Sequence, residues 1–209
     1  MNRAELKAKA KAQIKGKIGI LFLISLVMAV VSTAACMLLS LIPYVGEALG
    51  SIIVVPAFTL SSIQIFLSVT AGVKPGVKDA FGGFADFWSA FKVSFLSGLY
   101  TFLWSLLFVI PGIIKAFSYS MSMYILAENK GKSARECIKE SMAMTKGHKW
   151  ELFVLDLSFF GWALLVAITG GIASIWVGPY IQATFANVYL DLKAKAAPAA
   201  PVEVEAITE

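Results

Sequence analysis

VSFLSGLYTFLWSLLFVIPGIIKAFSYSMSMYILA, residues 93–127, holds a single charge, Lys115, and its reading decides how often the chain crosses a bilayer. As one helix this stretch would be about 52 Å long at 1.5 Å per residue, against a hydrocarbon core of roughly 30 Å. Pro111-Gly112 interrupts it, and proline and glycine are strong turn punctuators. Two short helices, 93–110 and 112–127, are the better reading.

Charge tests that choice independently, because Lys and Arg gather on the cytoplasmic side of membrane proteins. With two helices here, the cytoplasmic segments hold Arg3, Lys7, Lys9, Lys11, Lys15, Lys17, Lys74, Lys78 and Lys92. They also hold Lys130, Lys132, Arg135, Lys139, Lys146, Lys149, Lys193 and Lys195, leaving only Lys115 near the outer face. A single crossing would instead divide the basic residues evenly between the two sides.

Working outward, further apolar stretches lie at 18–42, 51–73, 151–168 and 172–190. The first pair is separated by Pro43, Gly46, Glu47 and Gly50, the last by Gly170-Gly171. Composition agrees with a lipid medium: 58% of residues are hydrophobic, 15% are charged and mean hydropathy is +0.78. Soluble domains carry about 25% charged residues. The expected fold is an all-α membrane protein with six transmembrane helices arranged as three short hairpins. Residues 1–17 form a basic cytoplasmic segment, 18–192 the membrane domain and 193–209 a disordered cytoplasmic tail.

The basic start followed by an apolar run also invites a signal-peptide reading, and Thr33-Ala34-Ala35-Cys36 looks like a lipobox. The run is much longer than the 7–15 residues of a signal core, so it is read as a retained span. Cys36 then lies mid-membrane and Cys137 in a cytoplasmic segment, with no disulfide or zinc pattern between them.

An approximate threefold repeat organises the chain, each unit a cytoplasmic amphipathic segment followed by a hairpin. Lys15-Gly16-Lys17 matches Lys146-Gly147-His148-Lys149, and Val55-Pro56 matches Gly178-Pro179. On that register Gln64 falls opposite Asn187 and Phe66 opposite Tyr189. All units enter from one side, so the repeats are parallel rather than the inverted kind common in transporters.

The stretches IPGIIKAFSYSMSMYILAEN (110–129), KGHKWELFVLDLSFFGW (146–162) and WVGPYIQATFANVYLDLK (176–193), with the opening MNRAELKAKAK, resemble an uncharacterised bacterial integral membrane family, domain of unknown function 975. The resemblance runs to about residue 193. It implies a multi-pass protein of the bacterial plasma membrane and brings no activity, cofactor or catalytic residue.

The chain contains no His-Glu-x-x-His pair, Gly-x-Ser-x-Gly elbow or Walker loop. No catalytic, metal or cofactor-binding residue is assigned, and no cofactor is expected. His148 reads as an interfacial polar residue rather than a proton handler, and Ser118 and Ser120 near Lys115 as packing serines rather than a Ser-Lys dyad.

Polar residues within the spans say more. Tyr180, Thr184, Asn187 and Asp191 share one helix face, as do Ser61, Gln64 and Ser68, and Lys115, Ser118 and Ser122. The second helix of each hairpin is therefore expected to face a central axis, and the first to face lipid. Asp156 is the exception among the first helices. It is expected to point inward and bond the sixth helix, at Asn187 or Tyr189, or a basic residue on the cytoplasmic side. Asp156, Asn187, Tyr180, Thr184 and Gln64 form the candidate intramembrane cluster, which serves either interhelical bonding or a polar path.

Phe81, Phe84, Trp88 and Phe91 fall on one face of 78–92 and are expected to lie among lipid headgroups. The segment 133–146 is amphipathic too. Expected partners are the bilayer itself, through anionic headgroups at the cytoplasmic face, and a second membrane protein or another copy of the chain. Nucleic acid is not expected. The leading function is a non-catalytic membrane module that packs with or regulates a protein or lipid partner. The alternative is a small transporter or lipid-handling protein with a polar path between the even-numbered helices.

Overall fold

A computed structural model describes residues 2–41 and 46–196, the side chains of 46–53 excepted. The expected turn at Pro43 and the expected tail beyond Ala196 lie outside these residues. Every regular element among them is helical.

Helix α1 (Arg3–Ile14) is capped by Asn2, whose side chain accepts a hydrogen bond from Glu5 N at 3.3 Å. Its Leu6, Ala10 and Ile14, one turn apart, form a buried stripe against the C-terminal helix. Gly16, at φ +79, reverses the chain, and Lys17 N bonds Ile14 O at 2.9 Å before α2 (Ile18–Ser40) begins. The third unit starts the same way. Helix α7 (Ala134–Met144) ends in a turn at Gly147, φ +85, where His148 N bonds Thr145 O at 3.1 Å, and α8 (Lys149–Leu157) follows. Glycine takes this left-handed backbone without a Cβ penalty, which explains the recurring Lys-Gly pair.

The second unit differs. The expected amphipathic helix over 78–92 is instead a 3-10 segment, Val77–Phe84, followed by α4 (Phe87–Leu107). The cause is Gly82-Gly83, which favours helix weakly and presses onto α3 (Gly46–Thr70). Gly83 N donates to Ser61 Oγ at 2.8 Å, and a Cβ on Gly83 would stand 2.2 Å from Ala57 O.

The turn between the middle helices is not at Pro111-Gly112 either. It lies at Phe108, a single extended residue (φ −159, ψ 142), and α5 (Val109–Tyr119) starts immediately after. Pro111 then occupies the first turn of α5, where its missing N–H has no intrahelical partner to lose. Two expected continuous spans are also broken. Span 112–127 divides into α5 and α6 (Ser122–Glu128), and span 151–168 into α8 and α9 (Phe160–Ile168). The last helix, α10 (Ser174–Ala196), follows the Gly170-Gly171 turn and reaches Ala196, past the expected start of the tail at 193.

Among the described residues, four stretches are long and apolar enough to cross a membrane: α2, α4, α5 with α6, and α8 with α9. Burial sorts the helices into two sets. Helix α2 buries only Leu21 and Ile24, α4 only Ala90 and Val93, and α9 nothing. The core lies between α3, α6 and α10, sealed by α1, α7 and α8, with Leu60, Ile125, Leu155, Tyr189 and Leu192 at its centre.

Candidate functional site

Thr184 and Asn187 are both buried on the inner side of α10. The Thr184 hydroxyl is spent on its own helix, donating to Tyr180 O at 2.8 Å, as serines and threonines in membrane helices often do. Asn187 reaches out: its Nδ2 donates to Gln13 Oε1 at 2.6 Å and to Ala183 O at 2.8 Å. Gln13 in turn extends its own amide to Thr70 O, 3.5 Å away, so α1 is tied to both α10 and α3 at one level. Tyr180 is half-buried among rings, edge-on to Phe159 at 5.8 Å and to Trp162 at 6.0 Å.

Gln64 and Asn187 do not meet. The polar link between α3 and α10 is Ser62 Oγ donating to Gln182 Oε1 at 3.0 Å, while Gln64 Nε2 is buried with no partner among the described residues. Asp156 departs furthest from expectation. It is exposed, pairs with nothing among the described residues, and borders a shallow hollow with Phe153, Phe160 and Ile181. The helix break beside it accounts for this. Ser158 Oγ turns back onto Leu155 O and accepts a bond from Lys7 Nζ at 2.6 Å, so α1 meets this region through Ser158. The same ammonium stands 4.5 Å from the centre of the Phe159 ring. Burial, with Arg3 nearby, holds the Lys7 ammonium below the usual lysine range.

A second polar group was not anticipated. Glu128 Oε2 accepts from Tyr189 Oη at 2.7 Å and from Lys193 Nζ at 2.5 Å, and the Tyr189 ring stacks on Tyr124 at 5.5 Å. Its signal was available, since Glu128 and Lys193 are charges just beyond the ends of two inner spans. A third group closes the α5–α6 break. Ser141 Oγ on α7 donates to Ser118 O at 2.8 Å and accepts from Met121 N at 3.2 Å, while Thr145 Oγ1 approaches Ser118 O at 3.4 Å. Irregular backbone is tolerated at membrane depth where protein groups satisfy it. Ser133 and Glu136 cap α7 reciprocally, at 2.8 and 3.4 Å, and the bonds that Ser133 N and Ser133 Oγ donate to Glu136 Oε2 hold that carboxyl below the usual range. Burial pushes the Cys137 thiol up.

Lys115 and the neighbouring serines stay apart chemically. Lys115 Nζ lies 4.7 Å from the Trp104 ring centre, Ser118 Oγ donates to Ile114 O and Ser120 Oγ to Phe117 O. His148 Nδ1 is 2.8 Å from Glu151 Oε2. Among the described residues no group of His, Cys, Asp and Glu is placed to hold a metal ion.

The four aromatics of 78–92 separate at the 3-10 break. Phe81 and Phe84 gather about Phe58, at 6.4 and 5.1 Å, whereas Trp88 and Phe91 join Phe87 and Phe95 along α4. Phe81 and Phe84 remain about 44% and 43% exposed and Trp88 68%.

No curated protein and no solved structure matches the chain. The family described as protein of unknown function (DUF975) matches residues 1–118 and 106–196. Those matches take in the Lys-Gly turns, the apolar helices and all of the polar groups above, and the chain belongs to that family.

Proposed function

We propose that the chain is a non-catalytic multi-pass module of the bacterial plasma membrane. It crosses six times as three hairpins with both ends in the cytoplasm, and it packs with or regulates a lipid or protein partner. One observation carries this reading: polar groups on the inner helices bond to α1, α7 and one another, although Gln64 Nε2 and Ser122 Oγ have no partner among the described residues. Asn187 holds Gln13, Ser141 holds the Ser118 carbonyl, and Glu128 holds Tyr189 and Lys193. Groups used in this way fasten the hairpins to a helical layer on the cytoplasmic face rather than line a route for a solute. The exposed apolar faces of α2, α4 and α9 turn to lipid, and the basic residues flanking the hairpins hold the orientation.

Single cysteines in a Cys36→Ala/Cys137→Ala parent test the crossings. Phe108→Cys and Ile172→Cys replace exposed residues at two outer turns and should react with a membrane-impermeant thiol reagent in intact cells. Lys74→Cys and Gly131→Cys, also exposed, should react only after permeabilisation. Labelling of Gly131→Cys from outside removes the six-crossing reading.

A further inference from the structure

Between α1 and the start of α2 on one side, and α9 and α10 on the other, runs a groove of about 410 Å³. That volume suits a small ligand. Ile14, Ile18, Val177 and Tyr180 line it together with the indoles of Trp162 and Trp176. Both indoles are substantially exposed, at 43% and 55%. Lys11 and Lys15, one turn apart on α1, also border it.

These two lysines differ from their neighbours. Lys9 is paired with Glu5 at 2.8 Å and Lys7 donates to Ser158, but Lys11 and Lys15 meet no acid among the described residues. Two uncompensated ammonium groups beside an apolar slot call for one anion joined to a hydrocarbon chain. Depth agrees. Gln13, beside the lysines, meets Asn187, and Tyr180 and Trp176 lie roughly 10 and 16 Å further along α10 at 1.5 Å per residue. That reach is about half of the roughly 30 Å hydrocarbon core, the depth of one leaflet.

We propose that this groove holds a single anionic phospholipid, its phosphate on Lys11 and Lys15 and an acyl chain against Trp162 and Trp176. The inference rests on the membrane reading above, yet the two fail separately: thiol labelling reads the crossings, and the following measurement reads the groove alone.

The full chain carrying Trp88→Phe, Trp104→Phe and Trp150→Phe retains only the two groove indoles. It is reconstituted in vesicles of phosphatidylcholine with a fixed minor share of phosphatidylglycerol. Brominated acyl chains are placed on one lipid or the other, so that surface charge is the same in both cases. At equal bromine content, bromine on phosphatidylglycerol should quench the indoles more strongly. The preference should fall roughly fivefold for Lys11→Gln and about 25-fold when Lys15→Gln is added, as expected for basic groups beside anionic lipid. Lys74→Gln/Lys78→Gln should leave it unchanged. Equal quenching by the two lipids overturns the proposal, as does a preference that survives the Lys11/Lys15 pair or is lost equally with Lys74/Lys78. Should the Trp replacements lower helix content, mass spectrometry of the parent chain released from mixed-lipid nanodiscs reads the same preference as retained phosphatidylglycerol.

Discussion

Helices α2 and α10 are each 23 residues long, and they divide the work of this fold in opposite ways. Helix α2 carries no charge, yet buries only Leu21 and Ile24 against the rest of the protein. Helix α10 carries Gln182, Asn187, Asp191 and Lys193, yet its buried face runs from Val177 to Leu192. In water the more apolar helix would be the more buried. In lipid there is no hydrophobic drive to bring helices together, because acyl chains are as apolar as leucine. Close packing and polar bonds must do it, and α10 has both. Its Ala183 and Ala186 are fully covered, which lets α1, α2 and α3 approach, and Asn187 and Gln182 bond across the gaps.

The contrast should show most strongly in matched truncations. Leu192→Ala, in the centre of the core, should cost about 2–5 kcal/mol through lost contacts and a residual cavity. Leu38→Ala, at 69% exposure on α2, should leave the detergent melting temperature close to that of the parent. Equal losses would mean that α2 is an inner helix after all.

Glycine replacements sharpen the same comparison and should differ in sign. Gly98 on α4 has open space where a Cβ would stand, so Gly98→Ala should be neutral or stabilise by up to about 1 kcal/mol through helix propensity. Gly83→Ala would drive a Cβ into Ala57 O and Ser61 of α3, at an overpacking cost of about 1–3 kcal/mol. Melting of the two variants in one detergent decides the matter; a harmless Gly83→Ala would show that the 3-10 segment is not pressed onto α3.

The features legible in the sequence were those written in local pattern. Charge-free runs placed α2 and the greater part of α4, matching Lys-Gly pairs fell at the ends of the first and third cytoplasmic segments, and the spacing of Tyr180, Thr184 and Asn187 marked a single face of α10. The breaks were not legible, because tertiary contacts hold them. Nothing local to Ser118–Met121 announces that Ser141 and Thr145, on another helix, will take up its freed backbone groups. Likewise, Lys7 reaches Ser158 from the far end of the chain. The N-terminal segment reads as basic, amphipathic and cytoplasmic, but that pattern does not say what the stripe of Leu6, Ala10 and Ile14 packs against. That stripe is what docks it beside α10 and brings Gln13 to Asn187.

The smallest effect separates two polar residues that a hydropathy argument treats alike. Asn187 is 6% exposed and bonded to Gln13, whereas Asp156 is exposed and without a partner among the described residues. A side-chain hydrogen bond between membrane helices contributes about 0.6 kcal/mol on average and up to about 1.7. Asn187→Leu should therefore lower stability by an amount in that range, since leucine is of similar size and the loss is chiefly the bond. Asp156→Leu removes a charge that nothing among the described residues compensates, and should melt at or slightly above the parent temperature. A double-mutant cycle makes the assignment specific. Gln13→Leu and Asn187→Leu should each destabilise, but together they should cost less than their sum by about the coupling energy, because either one alone already breaks the bond. Additive losses would mean that the Gln13–Asn187 contact carries no stability, and an Asp156→Leu variant weaker than Asn187→Leu would restore an inward structural role for the carboxylate.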